Sequence, residues 1–82
     1  MYIVYVLKSK SSQKSYVGFT DNLERRFKEH NSGKSYYTKK YVPWEVFYKE
    51  EYETLSDAKS RKKYLKSTTG RRFLKELFNS EK

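Results

Sequence analysis

Between positions 25 and 40 the chain carries Arg25, Arg26, Lys28, Lys34, Lys39 and Lys40, with Tyr36, Tyr37 and, just beyond, Tyr41 set among them. Guanidinium and ammonium groups contact phosphate oxygens, and tyrosine rings beside them can stack on a base or a sugar. Taken singly, each of these tyrosines is better explained as a ring that closes a core. A second basic run, Lys59, Arg61, Lys62, Lys63, Lys66, Arg71, Arg72 and Lys75, has no acid anywhere between its ends. The acids gather instead at Glu45, Glu50, Glu51, Glu53 and Asp57. Cations separated from anions in this way form a surface for a polyanion.

The overall balance agrees. Nineteen basic and 10 acidic side chains leave a net charge of +9 on 82 residues. A chain of this length makes one domain, expected over 1–82 with its core at about 2–78, and can bury only a thin core. Nine Tyr, five Phe and one Trp supply the volume. With no cysteine, disulfides and cysteine-ligated zinc are excluded. No apolar run is long enough to span a bilayer. Met1–Leu7 is apolar, but it lacks a basic n-region and a small-residue cleavage site and alternates like a strand, so it is not read as a leader. The expected partner is therefore nucleic acid, with no membrane, and the expected compartment is the cytoplasm.

These groups need elements to position them. Tyr2–Leu7 is apolar on both faces and β-rich, which predicts a central strand covered on both sides. Ser15–Thr20 is a second strand, close enough for an antiparallel hairpin, with Gly18 marking a bulge or a close backbone approach. A helix follows, with Asp21 as cap and Glu24 as its box partner, Leu23, Phe27 and His30 on one face, and Asn31-Ser32-Gly33 as its stop. Helical spacing sets Arg26 and His30 on neighbouring turns. Trp44–Tyr52 alternates as a third strand, with Trp44, Val46 and Tyr48 expected on one side. The next helix starts at Thr54 or Ser56 and turns Leu55, Ala58 and Leu65 inward; Ser67-Thr68-Thr69-Gly70 breaks it before a last helix from Arg71 to Phe78. The order is β-β-α-β-α-α.

Tyr2-Ile3-Val4-Tyr5-Val6-Leu7, Tyr16-Val17-Gly18 and Asn22–His30 together resemble the GIY-YIG endonuclease domain, in particular the small stand-alone proteins similar to the nuclease domain of the excision-repair subunit UvrC. The first motif is loose, because Ile3-Val4-Tyr5 replaces Gly-Ile-Tyr; the second fits well. The resemblance implies an α+β fold, a three-stranded antiparallel sheet flanked by helices, and phosphodiester hydrolysis with one divalent ion, Mg²⁺ or Mn²⁺. It implies catalytic roles for Tyr5, Tyr16 and Arg26, and His30, on the neighbouring turn from Arg26, joins them as a catalytic candidate. A tyrosine can orient or deprotonate the attacking water. Arg26 can fork a phosphate and offset charge developing in the transition state. His30 can orient water or protonate the leaving oxygen. Gly18 lets the backbone approach a phosphate or the tyrosine pair closely. With Gly18, the nucleic-acid contacts expected are Arg25, Lys34, Lys39, Lys40, Lys59, Arg61, Lys62, Lys66 and Arg71.

One position departs from the family. Aligned on Ala58, Leu65 and Lys66-Ser67, Lys62 stands where related sequences place the metal-binding glutamate. Lys62 also falls within the arc of Leu55, Ala58 and Leu65, where a charge needs a reason. An ammonium cannot ligate Mg²⁺ and repels it, so no metal ligand is assigned. Three consequences stay open: the site only binds, the ammonium stands in for the metal's charge, or Asp57 or Glu50 supplies the carboxylate from elsewhere. Lys62 could also simply snorkel to solvent. Three functions follow: a metal-dependent endonuclease, a non-catalytic DNA- or RNA-binding module with DNA favoured, and a protein-interaction domain with acidic and basic faces.

Overall fold

The structure is a computed structural model that describes residues 1–80; the domain end expected at 82 lies outside the described residues. Alternation along β1 (Tyr2–Ser9) sends Val4 and Val6 to one face and Tyr5 and Leu7 to the other, and all four are almost wholly buried. A strand buried on both faces belongs in the middle of a sheet, and the order is β2-β1-β3, with β2 spanning Ser15–Thr20 and β3 Trp44–Tyr52. Both pairings are antiparallel. The helices are α1 (Leu23–Asn31), α2 (Leu55–Lys66) and α3 (Thr68–Ser80), with a short 3₁₀ turn over Thr38–Tyr41. The sequence order β-β-α-β-α-α and the α+β class are those of the molecule.

Two cores result. On one face Val4, Val6 and Val17 pack with Ala58 and Leu65 of α2 and Leu74 of α3. On the other, Tyr5, Leu7 and Trp44 pack with Leu23 and Phe27 of α1 and with Tyr16, Tyr41 and Val42. Each fully buried aliphatic side chain here contributes roughly 1.5–3 kcal/mol. None of the described helices is long and apolar enough to cross a membrane.

Four local expectations are corrected. Asn22, not Asp21, caps α1: its extended backbone lets Oδ1 accept from the Arg25 N–H at 3.1 Å, and Glu24 reaches forward to Lys28 instead of back to a cap. In β3 the one-sided alternation fails at a bulge. Val6 opposes Tyr48 while Leu7 opposes Val46, so Phe47 is the extra residue. Trp44 therefore joins the α1 face, whereas Tyr48 packs on the α2 face. Leu55 is 38% exposed, leaving Ala58 and Leu65 as the buried stripe of α2. Finally, Ser67 alone separates the last two helices. Its Oγ accepts from the Gly70 N–H at 3.2 Å and donates to the Tyr64 carbonyl at 2.5 Å. Gly70 lies inside α3 rather than breaking a helix; a Cβ there would meet the Tyr64 carbonyl oxygen at 2.0 Å and Leu65 Cα at 2.5 Å. Its lack of a side chain lets α3 fold back against α2.

Candidate nucleic-acid interface

The β1–β2 register sets Tyr5 opposite Gly18 and Leu7 opposite Tyr16, so both phenols rise from the face that α1 covers. The Tyr5 ring leans over its partner, and a Cβ on Gly18 would lie 2.7 Å from the Tyr5 oxygen and 3.0 Å from the Tyr16 ring. Gly18 is thus sheltered beneath the tyrosine pair. Its role is to make room for those rings, and it offers no open backbone to a phosphate.

The amphipathic face of α1 brings His30 down onto the same pair. His30 Nε2 and the Tyr5 hydroxyl are 2.9 Å apart, and His30 Nδ1 is 2.9 Å from Thr38 Oγ1. The Tyr16 ring centre is 4.8 Å from that of His30. Tyr5, His30 and Thr38 are all essentially inaccessible. Thr38 also accepts, through its carbonyl, the indole N–H of Trp44 at 2.8 Å. A single buried chain of hydrogen bonds therefore ties strand, helix and loop together. Sequence reasoning missed Thr38, since nothing in a polar loop marks one threonine as a buried partner.

Electrostatics set the protonation of this chain. Burial pushes the Tyr5 phenol up to about 12, with Tyr16 adding to the shift and the nearby Arg26 opposing it. Burial, helped by Arg26 and opposed by Glu29, takes His30 down to about 4. At neutral pH both groups are uncharged, so one imidazole nitrogen donates and the other accepts.

Arg26 is the charged member at the mouth. Its Nη1 donates to Glu29 Oε1 at 3.0 Å, one turn along α1, and both side chains are about one-third exposed. That contact holds the Glu29 carboxyl below its usual range. Sequence reasoning passed over Glu29 too, although its i,i+3 spacing from Arg26 is a legible signal. The same guanidinium lies beside the Tyr5 phenol, and with the side chain one-third exposed part of the fork is left for a ligand. So Tyr5, Tyr16, Arg26 and His30 are brought together, but unequally: Tyr16 and Arg26 reach the surface, and Tyr5 and His30 lie behind them.

The other basic residues divide into groups. Arg25 pairs loosely with Asp21 at 3.7 Å and, with Lys28, Glu29 and Lys34, borders a shallow hollow beside Arg26. Lys39 and Lys40 hold their ammonium groups over the Tyr36 ring, 5.2 and 4.9 Å from its centre. Lys59, Lys62, Lys63 and Lys66 line an open hollow of ≈ 590 Å³ with Phe19 and Ser67. Lys62 Nζ lies 5.2 Å from the Phe19 ring centre, and burial together with Lys66 lowers its pKa. Arg71 borders the neighbouring hollow with Lys66. Arg61 departs from this group. It turns inward, donating to Glu50 at 2.8 and 3.0 Å and lying against Tyr64 and Phe73, so its charge is spent inside the fold.

The donor set does not fit a divalent ion, which needs several hard oxygens. The position expected to hold the carboxylate is Lys62. Glu50 is engaged by Arg61 and by the hydroxyls of Tyr48 and Tyr52 on the opposite face of the sheet. Burial alone would raise its pKa, but these donors outweigh it and keep the carboxyl ionised and occupied. Asp57 sits in the exposed first turn of α2, and Glu29 is bound by Arg26. Among the described residues no three His, Cys, Asp or Glu side chains converge.

Residues 1–76 match the GIY-YIG catalytic domain family. A UPF0213 protein of Clostridium perfringens is 41% identical over 70 residues, which cover 84% of this chain and 74% of the relative. The UPF0213 protein YazA of Bacillus subtilis is 38% identical over 79 residues, covering 95% and 77%. The solution structure of a UPF0213 protein from Bacillus halodurans superposes with a TM-score of 0.55 at 28% identity, over 93% of this chain and 83% of that one.

Proposed function

The chain belongs to the GIY-YIG catalytic domain family, and from that premise we propose that it binds the phosphodiester backbone of nucleic acid, DNA before RNA, without hydrolysing it by the family's one-metal route. The reading rests on Lys62, an ammonium at the position the resemblance assigns to the metal-binding carboxylate, and on the convergence of no three His, Cys, Asp or Glu side chains among the described residues.

The remaining groups are suited to holding a phosphate. Arg26 presents the open part of its fork and Tyr16 its hydroxyl, while Tyr5, His30 and Thr38 fix the two from behind. A phenol that keeps its proton up to about pH 12 is a hydrogen-bonding group and not a base at neutral pH. The lysines of α2, Lys62 among them, extend the cationic surface past the edge strand at Phe19.

Supercoiled plasmid incubated with Mg²⁺ or Mn²⁺ tests the reading. The wild-type protein is expected to retain the plasmid without nicking it, with log affinity falling about 0.9 per phosphate contact against log salt. Lys62→Glu is expected to gain divalent-dependent nicking. Nicking by the wild-type chain that disappears in Arg26→Ala would overturn the loss of hydrolysis. Absence of binding to DNA and RNA alike would overturn the interface itself.

A further inference from the structure

Tyr36 is 75% exposed and Tyr37 is 44% exposed. Neither ring belongs to a core: Tyr36 stands in solvent, and Tyr37 lies against the rim of the α1-side core. Yet they are held firmly, because the next residue, Thr38, is wholly buried and bonded to both His30 and Trp44. The Tyr37 ring lies 6.2 Å from Tyr16 and 5.4 Å from Tyr41. A row of rings thus runs outward from His30 through Tyr16 to Tyr37, with Tyr36 next along the chain. Lys39 and Lys40 flank the outermost ring.

We propose that Tyr36 and Tyr37 are a stacking platform for unpaired bases, so that the preferred ligand is a single strand, or a duplex with an unpaired overhang, whose backbone lies at Arg26. This rests on the nucleic-acid reading above and narrows its ligand class. Every base offers a π-face once it leaves a helix, whereas bases within a continuous duplex are already stacked on one another. The geometry suits the exchange: cations resting on an exposed ring are weakly held. Phosphates flanking a stacked base would draw Lys39 and Lys40 off Tyr36 and open its face. The loop then reads the backbone with its lysines and the bases with its tyrosines, next to the Arg26 fork.

Fluorescence anisotropy with labelled single-stranded, overhang-bearing and blunt duplex DNA of equal length tests the platform. The wild-type protein is expected to bind the first two more tightly than the blunt duplex. Tyr36→Ala/Tyr37→Ala is expected to lose single-strand affinity on the order of tenfold or more, with blunt-duplex affinity and its salt dependence unchanged, and the double Phe variant is expected to restore it. Should loss of Tyr37 disturb the fold through Tyr16, Tyr36→Ala alone is expected to show the same selective loss. Blunt-duplex binding equal to or tighter than single-strand binding, or an equal effect of the alanines on all three ligands, would overturn the platform and leave the phosphate interface standing. Failure to bind any of the three, and RNA as well, would remove the interface and the platform with it.

Discussion

Tyr5 lies across Gly18 so closely that the smallest side chain on that glycine would touch the phenol, 2.7 Å from its oxygen. Because the Tyr5 hydroxyl is also bonded to His30 and its ring is 1% exposed, the ring has nowhere to retreat. Gly18→Ala is expected to push Tyr5 off His30 and cost about 1–3 kcal/mol as an overpacked core. Thermal denaturation reads the loss, and the chemical shifts of the His30 ring read the broken contact. An unchanged His30 environment would refute the account.

The buried imidazole gives the fold an acid sensitivity. The His30 pKa is lowered in the folded state, from 6.5 to about 4, so the unfolded chain binds the extra proton first as pH falls. The stabilisation is therefore complete above about pH 6.5 and is lost progressively down to about pH 4, by up to about 3 kcal/mol. Glu29 and Glu50, held below their ordinary 4.5, add losses lower still. Urea unfolding at a series of pH values should show this slope between 6.5 and 4, and His30→Gln should flatten it.

Thr38 completes the chain behind the site. Thr38→Val keeps the shape but removes the partner of His30 Nδ1, which is expected to cost about 1–3 kcal/mol for an unsatisfied buried polar group. Urea titration checks the loss. Hydrogen exchange should rise over residues 35–41, because the same residue anchors that loop.

Arg61 and Lys62 are neighbours in sequence with opposite assignments. Arg61→Met is expected to lower stability by about 1–3 kcal/mol, as the half-buried Glu50 loses its charged partner but keeps the hydroxyls of Tyr48 and Tyr52, and to leave DNA affinity nearly unchanged in the folded protein. Lys62→Ala is expected to leave the melting temperature within a few degrees while weakening DNA binding and reducing the salt slope by about 1. Paired calorimetry and binding isotherms distinguish the two, and a reversal of the pattern would refute the division.

Gly70 is expected to tolerate nothing larger. Gly70→Ala places a methyl group 2.0 Å from the Tyr64 carbonyl, a contact with backbone that cannot swing aside. The chain must part α3 from α2 and open the core at Leu65 and Leu74. A loss of at least about 3 kcal/mol is expected, comparable to a large core truncation, and read as a lowered melting temperature. A small change would show that the helix crossing is looser than drawn.

Periodicity and chemistry along the chain determined much by themselves. The two-faced apolar run Tyr2–Leu7 could only be a central strand, the spacing of Leu23, Phe27 and His30 could only be a helix face, and the tyrosine, arginine and histidine motifs pointed to one site. The cation at Lys62, where the resemblance leads one to expect a carboxylate, was equally legible, because the two differ in charge wherever they stand. What tertiary structure decided was which of these groups are spent internally. Arg61 and Lys62 read alike as cations, yet only packing shows one turned onto Glu50. Gly70 read as a breaker, yet it is a close approach of α3 to α2; Gly18 read as a bulge or a close approach, and only the packed Tyr5 and Tyr16 rings decide for the second. The Phe47 bulge, the burial of Thr38 and the concealment of Tyr5 and His30 behind Tyr16 and Arg26 likewise depend on what lies across a sheet or under a loop. Such contacts join residues far apart along the chain, so no local pattern encodes them.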